Sequence, residues 1–316
     1  MKKIFIFSFL SLALVGGLMS SCKKQLNQTP KYGLNAEAVY SDPANYIKVL
    51  AKCYSGLSMS GNQGPAGQAD IAGIDEGFSA YVRVLWNLQE LPTDEAICGW
   101  NDPGLPELNK TQWNSENIWV KGMYYRIYYQ ITLCNEFIWQ SRDEKLAERG
   151  FSDSDIATIR TYRNEARFLR ALSYYHAMDL FGNVPFVDEN DRVGAFQPPQ
   201  IQRADLFQYI EGELLDLSPK LLTAGAAPYG RASQTAVQSL LAKLYLNAEV
   251  YTGTPRYSDC AIQCEAVING GTHQLDTDYQ SLFLADNNTS PEIIMPVVYD
   301  GLYAQTWGGT TFLVCA

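Results

Sequence analysis

Apolar residues recur at spacings of three and four in four parts of this chain, a period that fits one face of an α-helix and not a strand. These parts are residues 42–57, 118–144, 153–180 and a group at 203–217, 233–248 and 258–268. In the second, Tyr124, Tyr125, Tyr128, Tyr129, Phe137 and Trp139 crowd a single helix with aromatic rings. Ser152-Asp153 can cap the third, and loops bearing Pro and Gly separate the members of the last group. Helices in antiparallel pairs are the simplest arrangement for such a chain. Ala166, Ala171, Tyr174 and Tyr175, and later Ala236, Ala242, Tyr245 and Ala248, set small residues among large rings. Tetratricopeptide pairs interlock in this way over about 34 residues, and ordinary helix packing asks for the same residue types.

Between the first two helices, residues 61–115 lack the helical period and are rich in Gly, Asp, Asn and Pro. A loop of that length inside a compact chain is either functional or disordered, and Trp86, Trp100 and Trp113 argue against disorder. Residues 286–316 have the same character. Asp286-Asn287-Asn288 reads as a turn, Glu292-Ile293-Ile294-Met295-Pro296 as a short strand, and Thr310-Thr311-Phe312-Leu313-Val314 as an extended segment after the Gly308-Gly309 turn. The sequence stops in that apolar segment, so a C-terminally truncated chain is expected. The expected fold is mostly α, with tetratricopeptide-like helical pairs carrying long irregular loops and a few short strands.

Met1-Lys2-Lys3 precedes an apolar run at residues 4–19, which suits an export signal and falls short of the ~20 residues a spanning helix needs. Ser20-Ser21 then leads into Cys22, and the junction resembles the lipobox of bacterial lipoproteins, in which the Cys is acylated. Residues 1–21 are therefore expected to be a signal peptide and 22–316 the mature domain. No second apolar run of spanning length follows, which leaves the lipid as the membrane attachment. The net charge of −10 repels polyphosphate and excludes nucleic acid as a partner. Apart from Cys22, the cysteines are Cys53, Cys98, Cys134, Cys260, Cys264 and Cys315. They include no C-x-x-C pair, and Cys260 and Cys264 stand one helical turn apart, where bridging is rare, so buried free thiols are expected. With His176 and His273 as the two histidines, a Cys/His zinc site has too few ligands. His176 lies within an aromatic helix and reads as structural rather than as a base.

Three stretches carry a resemblance to a known family. The first is Glu165-Ala166-Arg167-Phe168-Leu169-Arg170-Ala171, followed by Asp179-Leu180-Phe181-Gly182-Asn183-Val184-Pro185-Phe186. Tyr229-Gly230-Arg231-Ala232-Ser233, leading to Leu241-Ala242-Lys243-Leu244-Tyr245-Leu246-Asn247-Ala248, is the second, and Glu90-Leu91-Pro92-Thr93-Asp94-Glu95 is the third. Together with the lipobox they resemble the SusD-like family of outer-membrane nutrient-binding lipoproteins of gut Bacteroidota. The resemblance runs from Cys22 to the end of the sequence and implies a lipid-anchored location on the outer-membrane surface. It also implies capture of a glycan for a SusC-like TonB-dependent transporter docked on the helical side.

The resemblance tightens toward the family's starch-binding founder at Asp75-Glu76-Gly77, Arg83, Trp100, and Gly308-Gly309-Thr310 through Leu313-Val314-Cys315. It implies starch or maltooligosaccharides as ligand, held on an arc of aromatic rings. Trp100 matches one ring, and Trp307 stands where the family member has Tyr, keeping a stacking face. Asp75 and Arg83 match polar partners of sugar hydroxyls. Asn101 is the counterpart of another, across a slightly shorter loop, and a further ring would fall past Ala316. Family members hold a metal near the loop matching residues 286–290, which raises a structural calcium there, although Asp286 and Asn288 serve equally as turn formers.

The chemistry of these residues agrees with that implication. A glucose ring offers a C–H face to an aromatic plane, and its hydroxyls need carboxylate, amide or guanidinium partners. Trp86, Trp113, Trp119 and the rings from Tyr124 to Tyr129 sit at helical or mixed spacing and are expected in the core. Two other functions stay open. A glycosidase needs two carboxylates flanking one bond, yet Asp75-Glu76 and Asp94-Glu95 are neighbours in sequence, and neighbours on extended chain face opposite sides. A helical-repeat scaffold binding only a protein partner, or a protein taking a different glycan, is the stronger rival.

Overall fold

Side chains that accept otherwise orphaned amide protons set helix starts in this chain at Asn35, Asn117, Ser152 and Ser233. The computed structural model describes residues 35–61, 68–191, 194 and 197–306. The expected signal, Cys22, Trp307, Gly308-Gly309, the segment 310–314 and Cys315 lie outside the described residues. The chain divides into two compact units after Asp42. In the first, α1 (Ala36–Tyr40) starts at Asn35, whose side chain accepts from the Ala38 amide at 2.7 Å.

The second unit opens on a short 3-10 turn, Pro43–Asn45, and α2 (Tyr46–Ser55). Then come α3 (Tyr81–Glu90), α4 (Leu105–Asn109), α5 (Ile118–Gln140), α6 (Asp143–Glu148) and α7 (Asp153–Phe181). A two-residue antiparallel pair, β1 (Val184–Pro185) with β2 (Gln200–Ile201), precedes α8 (Arg203–Leu217). The last helices are α9 (Gln234–Leu246), α10 (Ala248–Thr252) and α11 (Tyr257–Asn269). Among the described residues no helix is long and apolar enough to cross a membrane.

The long pair α5 and α7 forms the centre. Met123, Ile127, Ile131, Cys134 and Ile138 follow one another at three and four along α5 and are all buried. On α7, Ala166, Leu169, Ser173 and Ala177 form a matching buried row. The pair is antiparallel: Tyr124 near the start of α5 meets Phe181 at the end of α7, with centroids 5.6 Å apart, while Arg163 early in α7 donates to the Ser141 carbonyl beyond α5 at 2.7 Å. α9 and α11 pair in the same sense, since Arg256 ahead of α11 lies over the Tyr245 ring at 4.7 Å and Thr235 meets His273 at 3.1 Å. Of the expected small-and-aromatic set, Ala242 is half-buried and the other seven residues are buried.

Charged side chains inside the structure come with partners. Glu165 is buried and takes a fork from Arg231 together with the Tyr54 hydroxyl at 2.7 Å, and that hydroxyl in turn accepts from the Ala232 amide at 2.8 Å. Arg126, fully buried, pairs with Asp70 at 2.6 Å and donates to the Ser60 carbonyl at 3.1 Å and to Ser79 Oγ at 3.0 Å. His176 is structural, as expected. Its Nδ1 shares a hydrogen bond of 2.9 Å with the Tyr81 hydroxyl, and burial, reinforced by the Lys243 charge, pushes its pKa down to about 3.

Several expectations need correcting. Residues 61–115 contain two helices, α3 and α4, because Tyr81, Val84, Leu88 and Leu91 do hold a helical period that the buried polar residues Arg83 and Asn87 interrupt. α5 ends at Gln140, where Ser141 bonds back to the Phe137 carbonyl at 2.7 Å, and a new helix begins at Asp143. Residues 292–296 are irregular rather than a strand, and among the described residues no neighbouring strand pairs with them. Trp119 is core, but Trp113 and Tyr125 are 42% and 43% exposed, and Trp86, Tyr124, Tyr128 and Tyr129 are half-buried. The described cysteines are all free; Cys53 and Cys134 are buried, Cys98 and Cys260 half-buried, and Cys264 exposed.

Candidate functional site

The loop preceding α3, the loop from Trp100 to Gly104, and the first turn of α5 converge on a cavity of about 640 Å³ lined by Asp75, Phe78, Arg83, Trp100, Asp102 and Trp119 among others. Each wall is fixed by local bonds. Asn117 caps α5 by accepting from the Trp119 and Val120 amides at 3.0 and 3.3 Å, and its Nδ2 donates to the Gly104 carbonyl at 2.9 Å. The Trp119 indole Nε1 donates to the Pro103 carbonyl at 3.0 Å. Gly104 sits at φ 88, and a Cβ there would come within 2.9 Å of Trp119 Cδ1, so the turn requires glycine.

On the opposite wall, Asp75 Oδ1 accepts from the Gly77 amide at 2.6 Å, and the Gly77 carbonyl accepts from Arg83 at 2.9 Å. The Arg83 guanidinium lies 5.2 Å from the Trp119 ring centroid, and Phe78 packs against the same ring at 4.9 Å. Burial pulls the Arg83 pKa down to about 10, opposed by Asp102, Cys98 and Asp75, so the group stays cationic at neutral pH. Farther back, the Arg126 bonds to Asp70, Ser60 and Ser79 moor this loop to α5.

Trp100 differs from the other rings here: it is 43% exposed, against 1% for Trp119. A partly exposed indole that shares a cavity with two carboxylates and a buried cation has the groups needed to stack a neutral ring and hydrogen-bond its hydroxyls. The structure thus brings Asp75, Arg83 and Trp100 together. Asn101 is exposed and does not line the cavity, whereas its neighbour Asp102 does. Trp307 lies outside the described residues. Sequence reasoning missed Asp102, Phe78 and the wall role of Trp119; adjacency to Trp100 was the available signal for the first of these. Arg83, 5% exposed and bonded to the Gly77 carbonyl, holds the loop as well as facing the cavity.

Another cavity, of about 520 Å³, lies along the second half of α5 beside Asn135, Trp139 and Glu189, and none of the expected residues lines it. Among the described residues no group of three or more His, Cys, Asp or Glu is placed to hold a metal ion. In the segment expected to bear calcium, the Asp286 carbonyl accepts from the Thr289 amide and hydroxyl at 3.1 and 2.8 Å, which closes a 3-10 turn.

No family model matches the chain. The starch-binding protein SusD of Bacteroides thetaiotaomicron is 35% identical to it over 325 residues, an alignment that covers the whole of this chain and 55% of that protein. A SusD-like protein of Bacteroides ovatus is 28% identical over 137 residues, 42% of this chain and 25% of its own length. Among solved structures, a SusD-like carbohydrate binding protein from Bacteroides fragilis superposes with a TM-score of 0.64 at 20% identity, covering 85% of this chain and 49% of that one. Surface glycan-binding protein A from Bacteroides fluxus gives a TM-score of 0.59 at 18% identity, covering 80% and 49%. The chain therefore spans about half the length, or less, of these proteins.

Proposed function

We propose that this chain, which aligns over its whole length with the starch-binding protein SusD, captures starch or maltooligosaccharides at a cell surface without cutting them. The observation that carries the reading is Trp100, an exposed ring over a cavity whose polar groups are Asp75, Arg83 and Asp102. The similarity to a starch-binding protein supports the ligand class. Sugar rings would stack on Trp100 and, past the described residues, on Trp307, with hydroxyls held by Asp75 and Arg83 and by Asn101 at the rim. Each stack contributes roughly 0.5–1.5 kcal/mol beyond area burial, which suits weak, reversible hold on a polymer.

The same reading places the protein on the outer membrane through a lipid on Cys22, delivering glycan to a SusC-like TonB-dependent transporter. Labelled palmitate should enter the wild type and be absent from Cys22→Ser. Calcium at residues 286–290 is a separate and lesser part of the reading; finding none after dialysis removes it and leaves the glycan site untouched.

Affinity electrophoresis tests the function. Migration should slow in gels containing amylopectin and stay unchanged in gels containing a cellulose derivative, at low and high salt alike because the ligand is neutral. Equal retardation by both polymers, or reducing ends released from a maltooligosaccharide by the pure protein, would overturn it.

A further inference from the structure

A second groove, of about 240 Å³, adjoins the Trp100 cavity and shares Pro103 and Ile118 with it as a common wall. Trp113 also lines it. Trp100, Ile118 and Trp113 are 43%, 40% and 42% exposed, so the two grooves present three large apolar side chains to solvent. The core does not account for Trp113, since α4 in front of it is already anchored by Leu105 and Leu108, both buried.

The backbone that delivers Trp113 is strained. Thr111 has φ 53, and it is the one non-glycine residue with positive φ among the described residues. A β-branched residue is a poor occupant of that region, and such strain persists where the surrounding structure over-determines it. Here the Thr111 amide bonds to the Leu108 carbonyl at 3.0 Å and the Gln112 amide to the Glu107 carbonyl at 2.8 Å, which turns the chain back along α4. Asn114 Oδ1 then accepts from the Glu116 amide at 2.9 Å and closes the far side of the turn. The shared wall is equally fixed, because Trp119 and Asn117 hold the Pro103 and Gly104 carbonyls.

We propose that the Trp113 groove is a second ring-stacking subsite that continues the first, with a glycan chain leaving Trp100 over the Pro103 and Ile118 wall and lying on Trp113. Gln112, Asn114 and Glu116 border the groove and supply amide and carboxylate groups of the kind that bind sugar hydroxyls. The proposal rests on the glycan-binding reading above and adds to it a dependence on chain length. A short ligand fills the first cavity alone, and a long one uses both.

Titration of the protein with maltotriose and with a long amylose fragment tests this. Trp113→Ala should leave maltotriose affinity unchanged and weaken the amylose fragment roughly three- to ten-fold, the scale of one lost stack. Trp113→Phe should restore most of that loss, and Trp100→Ala should weaken both ligands. Thr111→Gly relaxes the turn and should weaken only the long ligand. Unchanged amylose binding by Trp113→Ala, or an equal loss for both ligands, would overturn the second subsite while leaving the first intact. Failure of the wild type to bind either ligand would overturn the glycan reading and the subsite with it.

Discussion

The helical pairs and the loops at the start of α5 use aromatic residues in opposite ways. In the pairs, Tyr hydroxyls end on fixed partners: Tyr54 on Glu165, Tyr81 on His176, Tyr128 on the Pro185 carbonyl and Tyr174 on the Val187 carbonyl. On the loop side, Trp100 and Trp113 leave some two fifths of their surface in water, although Trp113 follows a turn closed by backbone bonds and Trp100 precedes the bonded Asp102, Pro103 and Gly104 carbonyls. A ring that is rigidly placed and yet exposed gains by covering its face with something else. Fixed geometry alone therefore does not separate structure from site, and neither does exposure, since Tyr125 on α5 is as open as Trp100; what sets Trp100 and Trp113 apart is that each lines a groove at the start of α5, which Tyr125 does not.

Substitutions can break or sharpen this contrast. The largest effect is expected at the tie between the regions. Arg126→Met would strand the Asp70 carboxylate, which is 2% exposed, without its main partner, and should cost about 3–5 kcal/mol of stability in urea unfolding. Glycan binding should fall with it, since Asp70 and Ser60 lie in the loop that forms the site. Undiminished stability would show that the loop stands without α5.

Acid should act next, and on the helical side. His176 binds its proton at about 3 in the folded protein and at an ordinary 6.5 when unfolded. Between those values the unfolded state holds more protons, so stability is full above about 6.5 and declines as pH falls toward 3. The slope from this group is about 1.4 kcal/mol per pH unit. Urea midpoints measured across that window should flatten in His176→Gln by this one proton. An unchanged slope would mean that the imidazole is not held neutral between Tyr81 and Lys243.

Gly104→Ala should cost about 1–3 kcal/mol, because it combines a positive φ with a Cβ pressed on Trp119. Its effect on sugar binding should exceed that of Gly150→Ala, at a positive-φ glycine with open space around it. Smallest in stability terms is Trp100→Ala, expected to stay within about 0.5 kcal/mol of the wild type in thermal unfolding while weakening glycan binding. A large loss of stability there would make Trp100 a core residue after all.

What could be read in the sequence follows the same division. α7 was legible from end to end because Ser152 caps it, an apolar period runs through it, and Gly182 at φ 72 stops it. α3 was hidden because Ala80 offers no side-chain cap and because Arg83 and Asn87 are buried where apolar residues would have shown the period. Asp75, Arg83 and Trp100 were found through the family resemblance, since loop residues have no period of their own. The same route named Asn101, whereas the residue that lines the cavity wall is its neighbour Asp102. Ile293-Ile294 looked like a strand on propensity, but a strand needs a neighbour to complete its hydrogen bonds, and among the described residues none runs beside it.

The central claim is that Trp100 holds an α-glucan by its exposed face. Isothermal titration of the wild type and Trp100→Ala with a cyclic maltooligosaccharide and a linear cellooligosaccharide tests it most directly. The account predicts wild-type binding to the maltooligosaccharide alone, and a loss of roughly 0.5–1.5 kcal/mol or more in Trp100→Ala with folding unchanged. Equal wild-type binding to both sugars, or a Trp100→Ala protein that binds as the wild type does, would contradict it.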